Sequence, residues 1–210
     1  MKRIIRYLGR AGRFASKLLH GEPLSYSVQS KEAWDAQFDR GAWDFMLDLK
    51  QRDTLVIIAG LCKEAADERP LALLDIGCGN GGLAKLLAPV SSISYTGLDI
   101  SETAVTTART LHPRGTFAVA SAEEPPQFVG KFDILVFNEI LYYVDLRKTL
   151  DAYRPYLKKG GTIVITMYAS WRTWLLWLRL KGHVTSRKTV TVHDELLRKS
   201  WTIQWGNYRS

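Results

Sequence analysis

The sequence predicts an α/β fold: a doubly wound, mostly parallel sheet with helices on both faces. Three observations predict it. Apolar runs of strand length at about 71–75, 94–98, 116–120, 132–138 and 162–166 are interrupted by helical patterns near 81–88, 102–110 and 146–157. The first run leads through Asp75 and Ile76 into Gly77-Cys78-Gly79-Asn80-Gly81, after which Leu83, Leu86 and Leu87 recur at helical spacing. A lone acid, Asp99, closes the second run, 20 residues after Gly79. Right-handed crossovers make strands joined in this way parallel. A ligand then belongs beyond their carboxyl ends.

The elements follow in chain order. Residues 1–22 read as a separate basic amphipathic helix. Ile4, Leu8, Ala11, Ala15 and Leu18 recur at helical spacing, and Arg3, Arg6, Arg10, Arg13 and Lys17 make a stripe on the other side. Such a helix either lies on an anionic membrane surface or packs on its own domain. Gly21 and Pro23 end it. Residues 23–210 read as one domain. Its first part, 31–66, is expected to be a helical cap: Trp34 and Phe38, four residues apart, share a helix face, and a second helix covers about Leu47 to Ala66. The cofactor-binding core is expected over 71–167, with Gly160-Gly161 as the turn before the fifth strand.

Residues 168–210 read as a substrate-side insertion and a last strand. Trp171, Trp174 and Trp177 fall within seven residues, on a helix apolar nearly all round, which is either deeply buried or inserted at an interface. Val192 to Lys199 reads as the last helix, with Asp194 and Glu195 in its first turn. Trp201 to Trp205 then reads as a sixth strand. The few residues after it predict a truncated C-terminal end, with a short or incomplete hairpin.

Composition excludes several classes. The chain is 46% hydrophobic and 11% aromatic over 210 residues, which is globular rather than disordered. No run approaches the ~20 apolar residues that span a bilayer. The two cysteines, Cys62 and Cys78, have neither metal spacing nor a disulfide pattern, so no metal site and a reducing, cytoplasmic setting are expected. The net charge of +8 is localised: residues 1–21 hold six Lys/Arg and no acid, and residues 152–193 hold eight and no acid. The remainder, 15 basic against 21 acidic residues, is acidic. This distribution speaks against a nucleic-acid acceptor. Residues 2–19 and 171–181, basic and rich in Leu, Ile and Trp, read as candidates for peripheral membrane contact.

The glycine turn identifies a nucleotide-type ligand. A strand-end carboxylate such as Asp99 can take both hydroxyls of a ribose. Gly77, Gly79 and Gly82 satisfy G-x-G-x-x-G, the dinucleotide fingerprint, which keeps a nicotinamide-dependent oxidoreductase as an alternative. Asp75 opposes that alternative. It lies two residues before the first glycine, where a pyrophosphate would meet a negative charge.

Leu74-Asp75-Ile76-Gly77-Cys78-Gly79-Asn80-Gly81, the acid Asp99 and the segment Phe132-Asp133 through Tyr142-Tyr143 together resemble class I S-adenosylmethionine-dependent methyltransferases. The resemblance covers roughly Glu32 to Met167. It implies a Rossmann-like sheet of the seven-stranded type and S-adenosylmethionine as cofactor. By the same resemblance, Asp75, Gly77, Cys78, Gly79, Asn80, Gly81, Asp99, Ile100, Ala122, Glu123 and Asn138 would bind the cofactor. Arg40, in the cap, would meet its carboxylate. Glu139-Ile140-Leu141-Tyr142-Tyr143 is similar to nodulation methyltransferases that act on amino-sugar oligosaccharides, and to sugar and natural-product methyltransferases. This implies a small-molecule, saccharide or glycolipid acceptor.

Methyl transfer from a sulfonium is an in-line displacement governed by positioning and desolvation. A nucleophile that carries a proton needs a base. Glu139, directly after the fourth strand, leads the catalytic candidates, with Tyr143 beside it and Tyr142, His183 and His193 behind. Asn138 is followed by Glu139-Ile140 rather than by the Pro-Pro-aromatic step that amine methylation of nucleic-acid bases uses. A reading from another class is a nucleotide-binding module without catalysis that docks to a membrane or an acidic partner.

Overall fold

Strand and helix alternate as expected in the computed structural model, which describes residues 29–47, 53–67, 69–128, 130–194 and 199–209. The helix expected over residues 2–19 lies outside these residues. Two helices precede the sheet, α1 (Lys31–Asp39) and α2 (Asp53–Ala66), with a single 3-10 turn at Asp44–Leu47 before α2. The central unit runs β1 (Leu71–Ile76), α3 (Gly82–Leu87), β2 (Ile93–Asp99), α4 (Glu102–Leu111), β3 (Thr116–Val119) and β4 (Phe132–Asn138). It continues through α5 (Leu146–Tyr153) and β5 (Leu157–Tyr168) to α6 (Trp171–Leu180), β6 (Val184–Asp194) and β7 (Lys199–Tyr208).

The seven strands stand in the order β3-β2-β1-β4-β5-β7-β6. β1 to β5 pair in parallel, β7 returns antiparallel to β5, and β6 is antiparallel to β7. Both faces of the parallel part are covered, which is why its strands are apolar runs without alternation. On one face Leu73, Ile134, Val136 and Val164 pack against Ile58, Cys62, Leu83 and Val105 from α2, α3 and α4. On the other, Leu135, Phe137, Ile163 and Ile165 pack against Leu146, Leu150, Leu176 and Leu180 from α5 and α6. At the amino end of the sheet the buried Asp133 accepts the Ala72 N–H at 2.9 Å and pairs with Lys158 at 2.8 Å and Arg69 at 2.7 Å.

The C-terminal expectations are corrected. Residues 184–194 form a strand where a helix over 192–199 was expected, and β6 with β7 makes a long hairpin rather than a truncated end. The cause lies in Val184, Thr185, Thr189, Val190, Thr191 and Val192, whose β-branched side chains suit a pleated surface. Gly160-Gly161 lies within β5, which opens at Leu157 and pairs with β4 across a register shift between Phe132 and Ile134. The helix expected over 146–157 stops at Tyr153, because Pro155 lacks an N–H and the chain tightens into a 3-10 turn at Arg154–Tyr156.

Candidate functional site

The turn after β1 is held against β2. The N–H groups of Gly77 and Cys78 both donate to the Leu98 carbonyl, at 2.7 and 2.8 Å. Gly77 has φ +78°, and a Cβ there would collide with Cγ2 of Ile140. Gly81, at φ +87°, starts α3 and leaves no room beside His112. These two positions require glycine for backbone angle and for space together.

Above this turn, at the carboxyl ends of β1, β2 and β4, lies a cleft of about 380 Å³. Gly77, Gly79, Asp99, Ile100, Ala122, Glu123, Asn138, Glu139 and Tyr143 line it. These nine residues, all named from the sequence, are therefore gathered in one place.

Asp99, only 9% exposed, accepts the Gly79 N–H at 2.8 Å on one carboxylate oxygen and the Ser101 N–H at 2.9 Å on the other. Burial pushes its pKa up, and the backbone donors pull it back. Each oxygen keeps a lone pair for a further donor. Asn138 is buried, and its Oδ1 has no partner among the described residues. Glu123 turns its carboxylate toward α5: the Asp145 N–H donates to it at 2.7 Å, and Lys148 sits 3.3 Å away.

Glu139 has φ +60°, the one positive value for a non-glycine among the described residues. The left-handed region costs such a residue on the order of 1–3 kcal/mol and recurs at functional sites. Its backbone N–H donates to Thr166 O at 3.1 Å, which fixes the turn at the end of β4. Its Oε2 accepts Tyr142 O–H at 2.8 Å and Trp201 Nε1–H at 3.2 Å, while Oε1 is buried with no hydrogen-bond partner among the described residues. Burial pushes the carboxyl up to about 7, against the pull of Tyr142, Trp201 and the Tyr168 backbone. A carboxylate beside a cleft with one unpartnered oxygen and a pKa near neutrality suits proton transfer.

Seven residues named from the sequence lie elsewhere. Asp75 does not point into the cleft. Strand alternation turns it to the other face of the sheet, where it accepts Tyr95 O–H at 2.6 Å. Its burial raises the pKa to about 7. Cys78 and Asn80 are buried beneath the turn, and Asn80 donates to the Trp43 carbonyl at 3.4 Å. Gly81 shapes the turn without lining the cleft. Arg40 is exposed at the end of α1 and is not among the residues that line the cleft. His183 and His193 also lie outside it; His193 Nδ1 is 2.9 Å from Ser200 Oγ.

Aromatic residues close the cleft. Trp34, Phe38 and Trp43 line it from the α1 region, and Trp34 meets Tyr143 edge-on at 5.1 Å. Trp201, from β7, was not named as a site residue from the sequence. Only the pairing of β7 with β5, which sets Trp201 opposite Tyr168, brings it to Glu139.

Asp35 secures α1 over the cleft. It accepts Ser101 Oγ–H at 2.6 Å and Thr103 N–H at 3.3 Å, at the start of α4, and pairs with Lys31 at 2.9 Å. Ser101, foremost among these contacts, holds the Asp35 carboxyl down at about 2. The depressed pKa means that docking is complete above pH ~4 and is lost as the pH falls through about 2. Asp35→Ala should bare a partly exposed helix start, loosen α1 and weaken ligand binding on the order of 10-fold. Ligand titration together with limited proteolysis in the α1 region checks this. Unchanged affinity and unchanged cleavage would show that α1 is held by its aromatics alone.

Comparison with known proteins agrees with this geometry. Residues 74–165 match the family described as "Methyltransferase domain". The chain is 34% identical over 108 residues to the methyltransferase ptaI of Pestalotiopsis fici, covering 45% of this chain and 31% of that protein. It is 29% identical over 144 residues to the 27-O-demethylrifamycin SV methyltransferase of Amycolatopsis mediterranei, covering 64% of this chain and 52% of that one. The chain thus spans about a third to a half of the length of these curated relatives. Among solved structures, the N-methyltransferase NodS of Bradyrhizobium japonicum, crystallised with S-adenosyl-L-homocysteine, superposes with a TM-score of 0.66 at 18% identity. That match covers 84% of this chain and 99% of NodS and establishes a shared fold. Residues 74–165 are thus similar to a methyltransferase domain, and the sheet shares its fold with NodS.

Proposed function

We propose that this chain is an S-adenosylmethionine-dependent methyltransferase that acts on a small-molecule, saccharide or lipid-linked acceptor. The observation that carries the reading is Asp99 at the end of β2, facing the same cleft as Gly77 and Gly79 on one side and Glu139 on the other.

The residues present fit the cofactor. Asp99 is clamped by two backbone N–H groups and retains acceptor capacity for the ribose hydroxyls. Ile100 and Ala122 offer apolar surface to the adenine, and the unpartnered Asn138 Oδ1 supplies an acceptor at the cleft wall. Asp75 faces away and is assigned to the core beneath the turn. When bound, the cofactor supplies an electrophilic methyl group on a positively charged sulfur.

The chain's own residues do the rest. Trp34, Phe38 and Trp43 exclude water, which strengthens positioning of the acceptor against the donor. Glu139 Oε1 receives the proton of an acceptor hydroxyl or amine, while Tyr142 and Trp201 hold Oε2 in place. The wide aromatic lining suits an acceptor with an apolar or ring-shaped body, the class to which the rifamycin substrate of one relative belongs. The buried, unpaired Cys62 and Cys78 suit a reducing cytoplasmic compartment.

Incubation with methyl-labelled S-adenosylmethionine and cell extract, followed by separation of lipid, saccharide and nucleic-acid fractions, tests the acceptor class. Label in the lipid or saccharide fraction is expected. Label confined to nucleic acid would overturn the assignment.

A further inference from the structure

Two acids bracket β4 and are treated differently. Asp133, near its start, is paired with Lys158 at 2.8 Å and Arg69 at 2.7 Å. Glu139, directly after its end, lines the cleft, and its side-chain partners Tyr142 O–H and Trp201 Nε1–H are neutral donors that both fall on Oε2. Its Oε1 is buried with no hydrogen-bond partner among the described residues. A carboxylate withdrawn from water is costly until a cation or further donors meet it. The group that completes Glu139 is therefore a donor, and a positively charged donor completes it best.

The rest of the cleft points to the same charge. Its two other acids are engaged: Asp99 by the Gly79 and Ser101 N–H groups, Glu123 by the Asp145 N–H and Lys148. Among the described residues its lining holds no Lys, Arg or His. Aromatic rings gather at Glu139. Trp201 and Tyr142 donate to it, Tyr143 lies 4.6 Å from Tyr142, and Trp34 meets Tyr143 at 5.1 Å. The faces of such rings attract cations. A phosphate or carboxylate placed here would meet the charge of Glu139 instead.

We propose that the acceptor carries a primary or secondary amine, cationic in solution, whose nitrogen docks at Glu139 among these rings and is the atom methylated. The inference rests on the methyltransferase reading and narrows its acceptor to amines. An ammonium brings donors and charge together, whereas a hydroxyl brings one neutral donor. The ammonium passes one proton to Glu139 Oε1 and becomes a neutral amine with a lone pair. That pair bonds to the methyl carbon as the carbon–sulfur bond breaks, and the bonding electrons stay on sulfur. The product leaves as a methylated ammonium, and Glu139 returns its proton to solvent.

Phenethylamine, phenethyl alcohol and phenylacetate share a ring and differ in charge, so their titration into the full chain saturated with S-adenosylhomocysteine tests the proposal. The amine should bind on the order of 10-fold more tightly than the alcohol, and phenylacetate most weakly. E139Q keeps the shape and removes the charge, and should shrink the lead of the amine to about 2-fold. No amine preference in the wild type, or the same preference in E139Q, would overturn the proposal. A second arm uses the natural acceptor. The full chain and methyl-labelled S-adenosylmethionine are incubated with cell extract, half of it first treated with the N-hydroxysuccinimide ester of acetic acid, which acylates amines and spares hydroxyls. Label should enter the untreated half and fall about 10-fold or more in the treated half. Equal label in both halves would overturn the amine and leave the methyltransferase reading standing. S-adenosylhomocysteine that does not bind, or no label in either half, would count against that reading itself.

Discussion

Glu139→Gln is expected to lower kcat by about 10²–10⁴-fold, the range for loss of a positioned general base, with little change in cofactor affinity. Gln keeps the shape and can still accept from Tyr142 and Trp201, so the substitution removes the titration and little else. The pH dependence gives a second readout. Burial raises the Glu139 carboxyl from 4.5 to about 7, so wild-type activity should climb as the pH rises through about 7 and that step should vanish in the variant. Stability should move the opposite way. A carboxyl with a raised folded-state pKa lends its stability in the neutral form, fully below pH ~4.5, and that contribution is lost as the pH rises through about 7. Above that pH the Gln variant should melt higher than wild type, and at low pH the two should converge. Full activity in the variant would remove Glu139 from proton transfer and leave the left-handed backbone at that position without a catalytic role.

Asp99→Ala should weaken S-adenosylmethionine binding by roughly 1–3 kcal/mol, or about 10- to 100-fold, the range for hydrogen bonds involving a charged group. The same carboxylate holds the Gly79 and Ser101 N–H groups, so part of the loss comes from a slackened turn. Asp99→Asn keeps the shape and one acceptor oxygen and should fall between wild type and Ala. Thermal melting of both variants separates the contributions: a variant that melts like wild type but binds weakly has lost ligand contacts alone. Wild-type affinity in both would show that Asp99 does not hold the ribose.

The middle of the parallel core was legible because β1 and β4 are buried on both faces and therefore written as nearly unbroken apolar runs. Phe132–Asn138 reads identically in sequence and structure, and Asp99 stands where its strand ends. β6 was not legible, because it is an edge strand with most of its side chains in solvent, which leaves little apolar alternation to read. Asp194 and Glu195 then imitate the acidic first turn of a helix. The site was legible wherever the chain itself supplies neighbours, as in Gly77 to Gly79 or Asn138-Glu139. Asp75 shows the limit, since a strand alternation of one residue decides between cleft and core, and here the side chain meets Tyr95. Trp201 escaped notice because its partner, Glu139, lies 62 positions away and only strand order joins them.

Titration calorimetry of the wild-type chain with S-adenosylmethionine, and in parallel with NADH, tests the central claim most directly. Saturable one-to-one binding of S-adenosylmethionine, weakened by Asp99→Ala, and no binding of NADH are expected. Binding of NADH, or no heat with S-adenosylmethionine, would contradict it.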